Sequence, residues 1–218
     1  MTSFPRSPKT LKGGLVVMDP DGNAVQRTIA FQFNPDTASR TLAARGGQID
    51  AGDRLEGLRL RGPPVETIKL DVEMDATDRL ERPEQNKEVV ESGLLPDLAE
   101  LEMLISPLTS DMEAADRLAS SGTIEIMPLP SPLVLLVLGA NRTLPVRLTD
   151  FSIIEEAFDT RLNPIRAKLS LTLRVLSIDD LAFGSKGGAL YLAFQQQRER
   201  FSRRKPPNLQ AFGLKAAP

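Results

Sequence analysis

Ile165-Arg166-Ala167-Lys168-Leu169-Ser170-Leu171-Thr172-Leu173-Arg174-Val175 alternates apolar and polar side chains almost without a break. Successive side chains of a strand point to opposite faces. The stretch therefore reads as a strand with Ile165, Ala167, Leu169, Leu171, Leu173 and Val175 inward and Arg166, Lys168, Ser170, Thr172 and Arg174 outward. At a rise of about 3.3 Å per residue, eleven residues span about 36 Å, above the usual strand length. Such a strand in a small domain implies a sheet that extends beyond its own core to pair with, or cover, another subunit.

Working outward, the chain turns at Leu162-Asn163-Pro164, and Leu144 to Phe158 reads as the antiparallel partner. Its apolar parity slips near Phe151, where Val146 and Leu148 give way to Phe151 and Ile153, which predicts a β-bulge. Before it, the continuous apolar run Leu133 to Leu138 reads as a buried strand entering a hairpin at Gly139-Ala140-Asn141-Arg142. Val65 to Asp75 repeats the alternation, with Ile68, Leu70, Val72 and Met74 opposed to Lys69, Asp71, Glu73 and Asp75. Nearer the N-terminus, Leu15 to Met18 and Arg27 to Phe33 read as strands separated by the turn Asp19-Pro20-Asp21-Gly22-Asn23. Ile29, Phe31 and Phe33 share one side, and Asn34-Pro35-Asp36 ends the strand. Ala38 to Arg61 reads as a polar strand followed by a loop.

Helical signals are sparser. Leu95 to Ile105 carries Leu98, Leu101, Met103, Leu104 and Ile105 at three-to-four spacing between Pro96 and Pro107, which predicts one short amphipathic helix. Arg79 to Glu91 reads as a loop or a ragged helical turn, and Asp111 to Ser121 as a connecting loop with room for one helical turn. Gly184, Gly187 and Gly188 mark Asp179 to Gly188 as a flexible connector. Ala189 to Arg204 reads as a terminal helix with Leu190, Phe194 and Phe201 near one face, ended by Pro206 and Pro207. The expected fold is mainly β with one or two helices, an α+β chain divided into a leader (1–14), a β domain (15–182) and a glycine connector with a basic helix and tail (183–218).

Composition narrows the chemistry. The 218 residues are enough to bury roughly 70% of the unfolded surface. The absence of Cys and His removes disulfides, thiol nucleophiles, most zinc sites and the commonest proton shuttle. No metal or cofactor is expected. Asp71, Glu73 and Asp75 on one strand face read as a solvated surface, because no second acidic cluster completes a calcium or acid–base site. Asp19 to Asn23 lacks the distal Glu of a calcium loop, and Gly184 to Gly188 lacks the Gly-Lys-Ser order of a phosphate loop. A carboxylate-only glycan hydrolase stays as a remote alternative, disfavoured by zero Trp and one Tyr. A monomeric β-barrel module holding a ligand in its mouth is the other.

The net charge is −2 but uneven. Seven basic residues against Glu199 give the segment from Lys186 onward +6, which leaves −8 for residues 1–185. This balance gives no general attraction to nucleic acid or anionic membrane. No h-region or membrane-length apolar run is present, so the chain is expected in the cytosol until any larger assembly leaves the cell.

The order of Phe31-Gln32-Phe33-Asn34-Pro35, Pro64 to Asp75, Leu101-Glu102-Met103-Leu104-Ile105 with Pro107, the Gly139 hairpin and Phe158-Asp159-Thr160-Arg161-Leu162-Asn163-Pro164-Ile165-Arg166-Ala167 resembles the tube-protein domain of contractile injection systems, the phage-tail-like particles. The resemblance covers about residues 15 to 182. It implies a tube-type β-barrel or sandwich with a C-terminal helical extension, assembled as a ring of six. The implied partners are copies of itself and neighbouring inner-tube, spike or hub, and baseplate proteins. The family's aromatic before the hairpin glycine is replaced by Leu138, and the chain ends in a basic helix in place of a LysM module. It therefore resembles a tube-initiator or baseplate adaptor more than the repeating inner-tube subunit, which stands as the alternative.

A non-enzymatic structural role follows from that resemblance. The expected assembly contacts are Arg166, Lys168 and Arg174 on the long strand and Arg198, Arg200, Arg203 and Arg204 on the basic helix. Three expectations can be checked against structure. Leu169 or Leu171 changed to Asp prevents folding; charge reversal at Arg166 and Lys168 spares the monomer; and removal of residues 186–218 leaves the domain folded but unable to join a particle.

Overall fold

The computed structural model describes residues 11–45, 60–120, 131–204 and 208. Strands β6 (Thr143–Phe158) and β7 (Pro164–Val175) pair antiparallel from Val146 opposite Val175 to Phe158 opposite Pro164. The register shifts between Leu148 and Asp150, so Leu148 faces Leu173 while Phe151 faces Leu171. That one-residue bulge explains the parity slip, because both parities of β6 point inward on their own side of it. On β7, Ala167, Leu169, Leu171, Leu173 and Val175 are all buried.

These two strands sit inside a seven-stranded antiparallel sheet of order β2-β1-β5-β6-β7-β4-β3. The others are β1 (Gly14–Met18), β2 (Val25–Ala30), β3 (Ala38–Ala43), β4 (Val65–Asp75) and β5 (Leu133–Val137). In the β1–β2 turn, Asp19 Oδ1 accepts from the N–H groups of Asn23 and Ala24, and Gly22 takes φ +75°. That is plain turn chemistry. β5 is apolar on both sides because Val134 and Leu136 join the main core while Leu133 and Leu135 join a second cluster with Met18.

A side chain rolls the sheet. Gln32, just beyond β2, accepts from the Asp75 N–H at 2.8 Å and donates to the Asp75 carbonyl at 2.7 Å. Its carboxamide thus stands in for a strand partner at the end of β4, five places along the order. Leu15, Val17, Ile29 and Phe31 meet Ile68, Leu70, Val72 and Leu169 in one continuous core. The expected barrel or sandwich is therefore, among the described residues, one rolled sheet whose edge strands β2 and β3 are not paired with each other. Phe33, expected inward, is exposed, because the last backbone bond to β1 is from the Phe31 N–H to Gly13 and the chain bends at Gln32 and Phe33.

The helical content exceeds the one or two helices expected. Between β4 and β5 come α1 (Thr77–Leu80), α2 (Lys87–Ser92), α3 (Leu95–Glu102) and α4 (Thr109–Ser120), and α5 (Lys186–Ser202) follows β7. Leu98, Leu101 and Leu104 insert into the core as expected and Leu94 joins them, whereas Met103 is half-buried and Ile105 exposed, because the helix ends at Glu102. Gly93, at φ +59°, leaves α2 against Pro164, where a Cβ would stand 2.4 Å from the carbonyl oxygen. The same oxygen accepts from the Leu94 N–H. Only glycine fits that joint. α4 replaces the expected connecting loop, and none of its residues is buried. Its Met, Glu, Ala, Arg and Leu are helix formers, which favours a helix over a loop there.

The largest departure concerns residues 179–188, read above as a flexible connector. Ser185 caps α5 by accepting the Gly188 N–H at 3.1 Å, and Gly187 and Gly188 lie buried in its first turn. A Cβ at Gly187 would be 2.7 Å from Leu181, and one at Gly188 would be 2.6 Å from the Ala182 carbonyl. These glycines permit close packing rather than motion. Tyr191 and Phe194 then enter the main core, so α5 shares the β domain's interior across the boundary drawn at residue 182.

Candidate assembly surfaces

The outward face of β4, β7 and β6 is a ladder of charges set by register. Arg166 stands between Asp75 and Glu156, and Lys168 between Glu73 and Ile154. Arg166 Nε donates to Asp75 Oδ2 at 2.9 Å, Lys168 Nζ to Glu156 Oε1 at 3.0 Å and Ser170 Oγ to Asp71 Oδ1 at 2.6 Å. The hydroxyl and N–H of Thr77, then Arg166, hold the Asp75 carboxyl below its ordinary 3.8. The Glu156 hydrogen bond and charge, with Glu73 adding, hold Lys168 above its ordinary 10.5. Asp71, Glu73 and Asp75 share one face as expected. Among the described residues, no group of three or more acidic side chains is placed to hold a metal ion.

The expected contact residues divide into two sets. Arg166, Lys168, Arg174 and Arg198 each have an ion-pair partner in their own chain, Arg174 with Asp180 at 2.6 Å. Arg174 Nε is buried without a hydrogen-bond partner. Arg200, Arg203 and Arg204 are exposed beyond the packed part of α5, and among the described residues none forms an ion pair. The Arg204 guanidinium lies 4.9 Å over the Phe201 ring.

Arg198 reaches a carboxylate that sequence reasoning passed over. Glu66 is 2% exposed, on the inward parity of β4 two residues before Ile68. Arg40 from edge strand β3 donates to Oε1 through Nε at 2.8 Å and through Nη2, and Arg198 donates to Oε2 at 3.0 Å. A buried carboxylate is tolerated because both its oxygens are paired. The Phe194 ring lies 5.3 Å from the Arg198 guanidinium. This clamp binds α5 to the sheet and to its edge strand at once. Glu66's place in the inward row was the available signal; its partners, 26 residues upstream and 132 downstream, had none.

Two other surfaces are open. β3 is exposed along its whole length, and β2 buries only Ile29. Beside β3, the segment Phe33 to Thr37 and the outward face of β4, β7 and β6 enclose a groove of about 860 Å³. At the far end of the β6–β7 hairpin, Phe158 and Leu162 are exposed, and Ala157 (φ +52°) and Leu162 (φ +64°) take left-handed backbone. Asp159 accepts from the Arg161 and Asn163 N–H groups and from the Asn163 carboxamide. Asn163, then Arg161, hold its carboxyl below the ordinary range. The tip is fixed in turn, because Arg161 donates to the Val90 carbonyl and Asn163 to that of Glu91.

The chain matches no protein-family model, and no curated protein matches it. Among the described residues, no helix is long and apolar enough to cross a membrane.

Proposed function

We propose that this chain is a non-enzymatic structural subunit of a contractile injection machine, forming a six-membered ring at the junction of baseplate and inner tube. The observation that carries the reading is the rolled antiparallel sheet with two unpaired edge strands at opposite ends of its order. Exposed edges offer rows of backbone donors and acceptors to another chain. An edge at each end lets β2 of one copy meet β3 of the next, and a repeated head-to-tail contact of that kind closes into a ring when its rotation allows. Support also comes from the order of motifs around Phe31 to Pro35 and Phe158 to Ala167, and from the charge ladder on β4, β7 and β6, a wet face fitted to a neighbouring layer. In this role the particle is made in the cytosol and leaves the cell only as an assembly, and the subunit binds no nucleic acid.

The test is to tag the chain, purify it from its native cell and image what co-purifies. A six-fold ring coaxial with a tube, bearing the tag, is the expected result. A tagged chain recovered alone, with no tubular particle, contradicts the reading.

A further inference from the structure

The groove beside β3 and the basic end of α5 are complementary in charge, yet lie apart on the same molecule. The groove presents Asp36, Asp71 and Glu73 around an apolar floor to which Phe33 and Ile154 contribute. Its lining includes one cation, Lys168, which Glu156 already engages. Asp71 is held by Ser170. Asp36 and Glu73 are exposed, and among the described residues neither forms an ion pair. The surface that fits is Arg200, Arg203 and Arg204 with Phe201, an exposed ring under a guanidinium beside two further free cations.

The two surfaces do not meet within one chain. Arg198 fixes α5 at Glu66, on the inward face of β4. Asp71 and Glu73 lie five and seven residues further along that strand, roughly 17 to 23 Å away, on the outward face. We infer that the basic end of α5 docks in the Asp36–Glu73 groove of a second copy, with Phe201 against the apolar floor and the arginines on the carboxylates. The contact joins unlike surfaces, so it can propagate from copy to copy and closes into a ring where its rotation allows. The inference rests on the ring proposed above and names one of its interfaces. Thr37 lines the groove and immediately precedes β3, so the docked helix end sits beside the free edge. Charge at such a contact sets orientation and encounter rate, and the buried ring supplies the anchor.

A charge-swap mixing experiment tests it. One full-length variant carries Asp36→Lys and Glu73→Lys; the other carries Arg200→Glu, Arg203→Glu and Arg204→Glu. Native mass spectrometry reads the assembly state, and circular dichroism confirms that each variant folds like the wild type. The expected result is rings for the wild type, at least tenfold weaker association for either variant alone, and rings of alternating composition when the two are mixed. Reversed chains that assemble alone like the wild type, or a mixture that does not reassemble, overturn this contact and leave the ring standing. A wild-type chain that stays monomeric overturns both. Should a variant fold poorly, Asp36→Cys with Arg203→Cys serves instead, since the natural chain has no cysteine. Intermolecular disulfides on oxidation are expected, and their absence overturns the contact.

Discussion

β7 and α5 both bury apolar side chains in the same core, but they are held there by different means. β7 carries a regular two-residue period from Ile165 to Val175, so every second side chain contributes and no single one specifies the strand. α5 depends on five particular residues: Gly187 and Gly188 admit its first turn, Tyr191 and Phe194 fill the core, and Arg198 closes on Glu66. The strand is specified by repetition and the helix by partners. Damage to β7 should therefore act through burial, and damage to α5 through the loss of individual contacts.

The greatest expected effect is on the strand. Leu171→Asp places an unpaired carboxylate where the side chain is 1% exposed, which costs more than about 4 kcal/mol and abolishes cooperative unfolding in circular dichroism. Phe194→Ala should cost about 3 to 4 kcal/mol in urea titration, a value for a cored helix and not for a tail. By the same reasoning, removal of residues 186–218 destabilises the sheet, contrary to the expectation that the β domain folds without them. A truncated chain with wild-type stability would restore that expectation.

Glu66→Ala leaves Arg40 and Arg198 facing a buried void, and a loss of roughly 2 to 3 kcal/mol is expected, because both guanidinium groups retain some contact with water. Combining Glu66→Ala with Arg198→Ala should cost less than the sum of the two, and strict additivity would deny the clamp. Arg166→Glu with Lys168→Glu puts like charges opposite Asp75, Glu156 and Glu73. That reversal is not silent in the monomer, and a lower urea midpoint is expected in addition to any loss of assembly.

The smallest effect is on acid stability. Asp75 is held below its ordinary 3.8 in the folded chain, so its contribution is full above pH 3.8 and is lost as pH falls through the lower folded value. Asp75→Asn should flatten the pH dependence of the melting temperature just below pH 3.8, where the folded and unfolded chains differ in protonation, and leave it unchanged near neutrality. An unaltered acid limb would show that the Thr77 and Arg166 contacts do not stabilise the fold.

The difference between strand and helix also explains what could be read in the chain. Periodicity is local, so β4, β5, β6 and β7, the β6 bulge and the α3 stripe were all visible from neighbouring residues. Closure of the roll by Gln32 on Asp75 depends on residues 43 apart, and the Glu66 clamp on residues 132 apart. Such pairings leave no period. Gly187 and Gly188 illustrate the ambiguity at one position, because a glycine that lets a chain bend and a glycine that lets two surfaces touch are the same residue, and only the Leu181 and Ala182 contacts distinguish them. For the candidate contacts, the cations themselves were visible, but which had partners within the chain was not. Asp75, Glu156, Asp180 and Glu66 occupy Arg166, Lys168, Arg174 and Arg198, and of the candidate contacts Arg200, Arg203 and Arg204 at the end of α5 form no ion pair among the described residues.

The central claim is that the rolled sheet is incomplete as a single copy and is completed by others through its margins. Native mass spectrometry of the wild-type chain across rising concentration addresses it most directly. A single closed species of six copies, appearing without a ladder of open oligomers, is the predicted result. A stable monomer at every concentration would contradict the account.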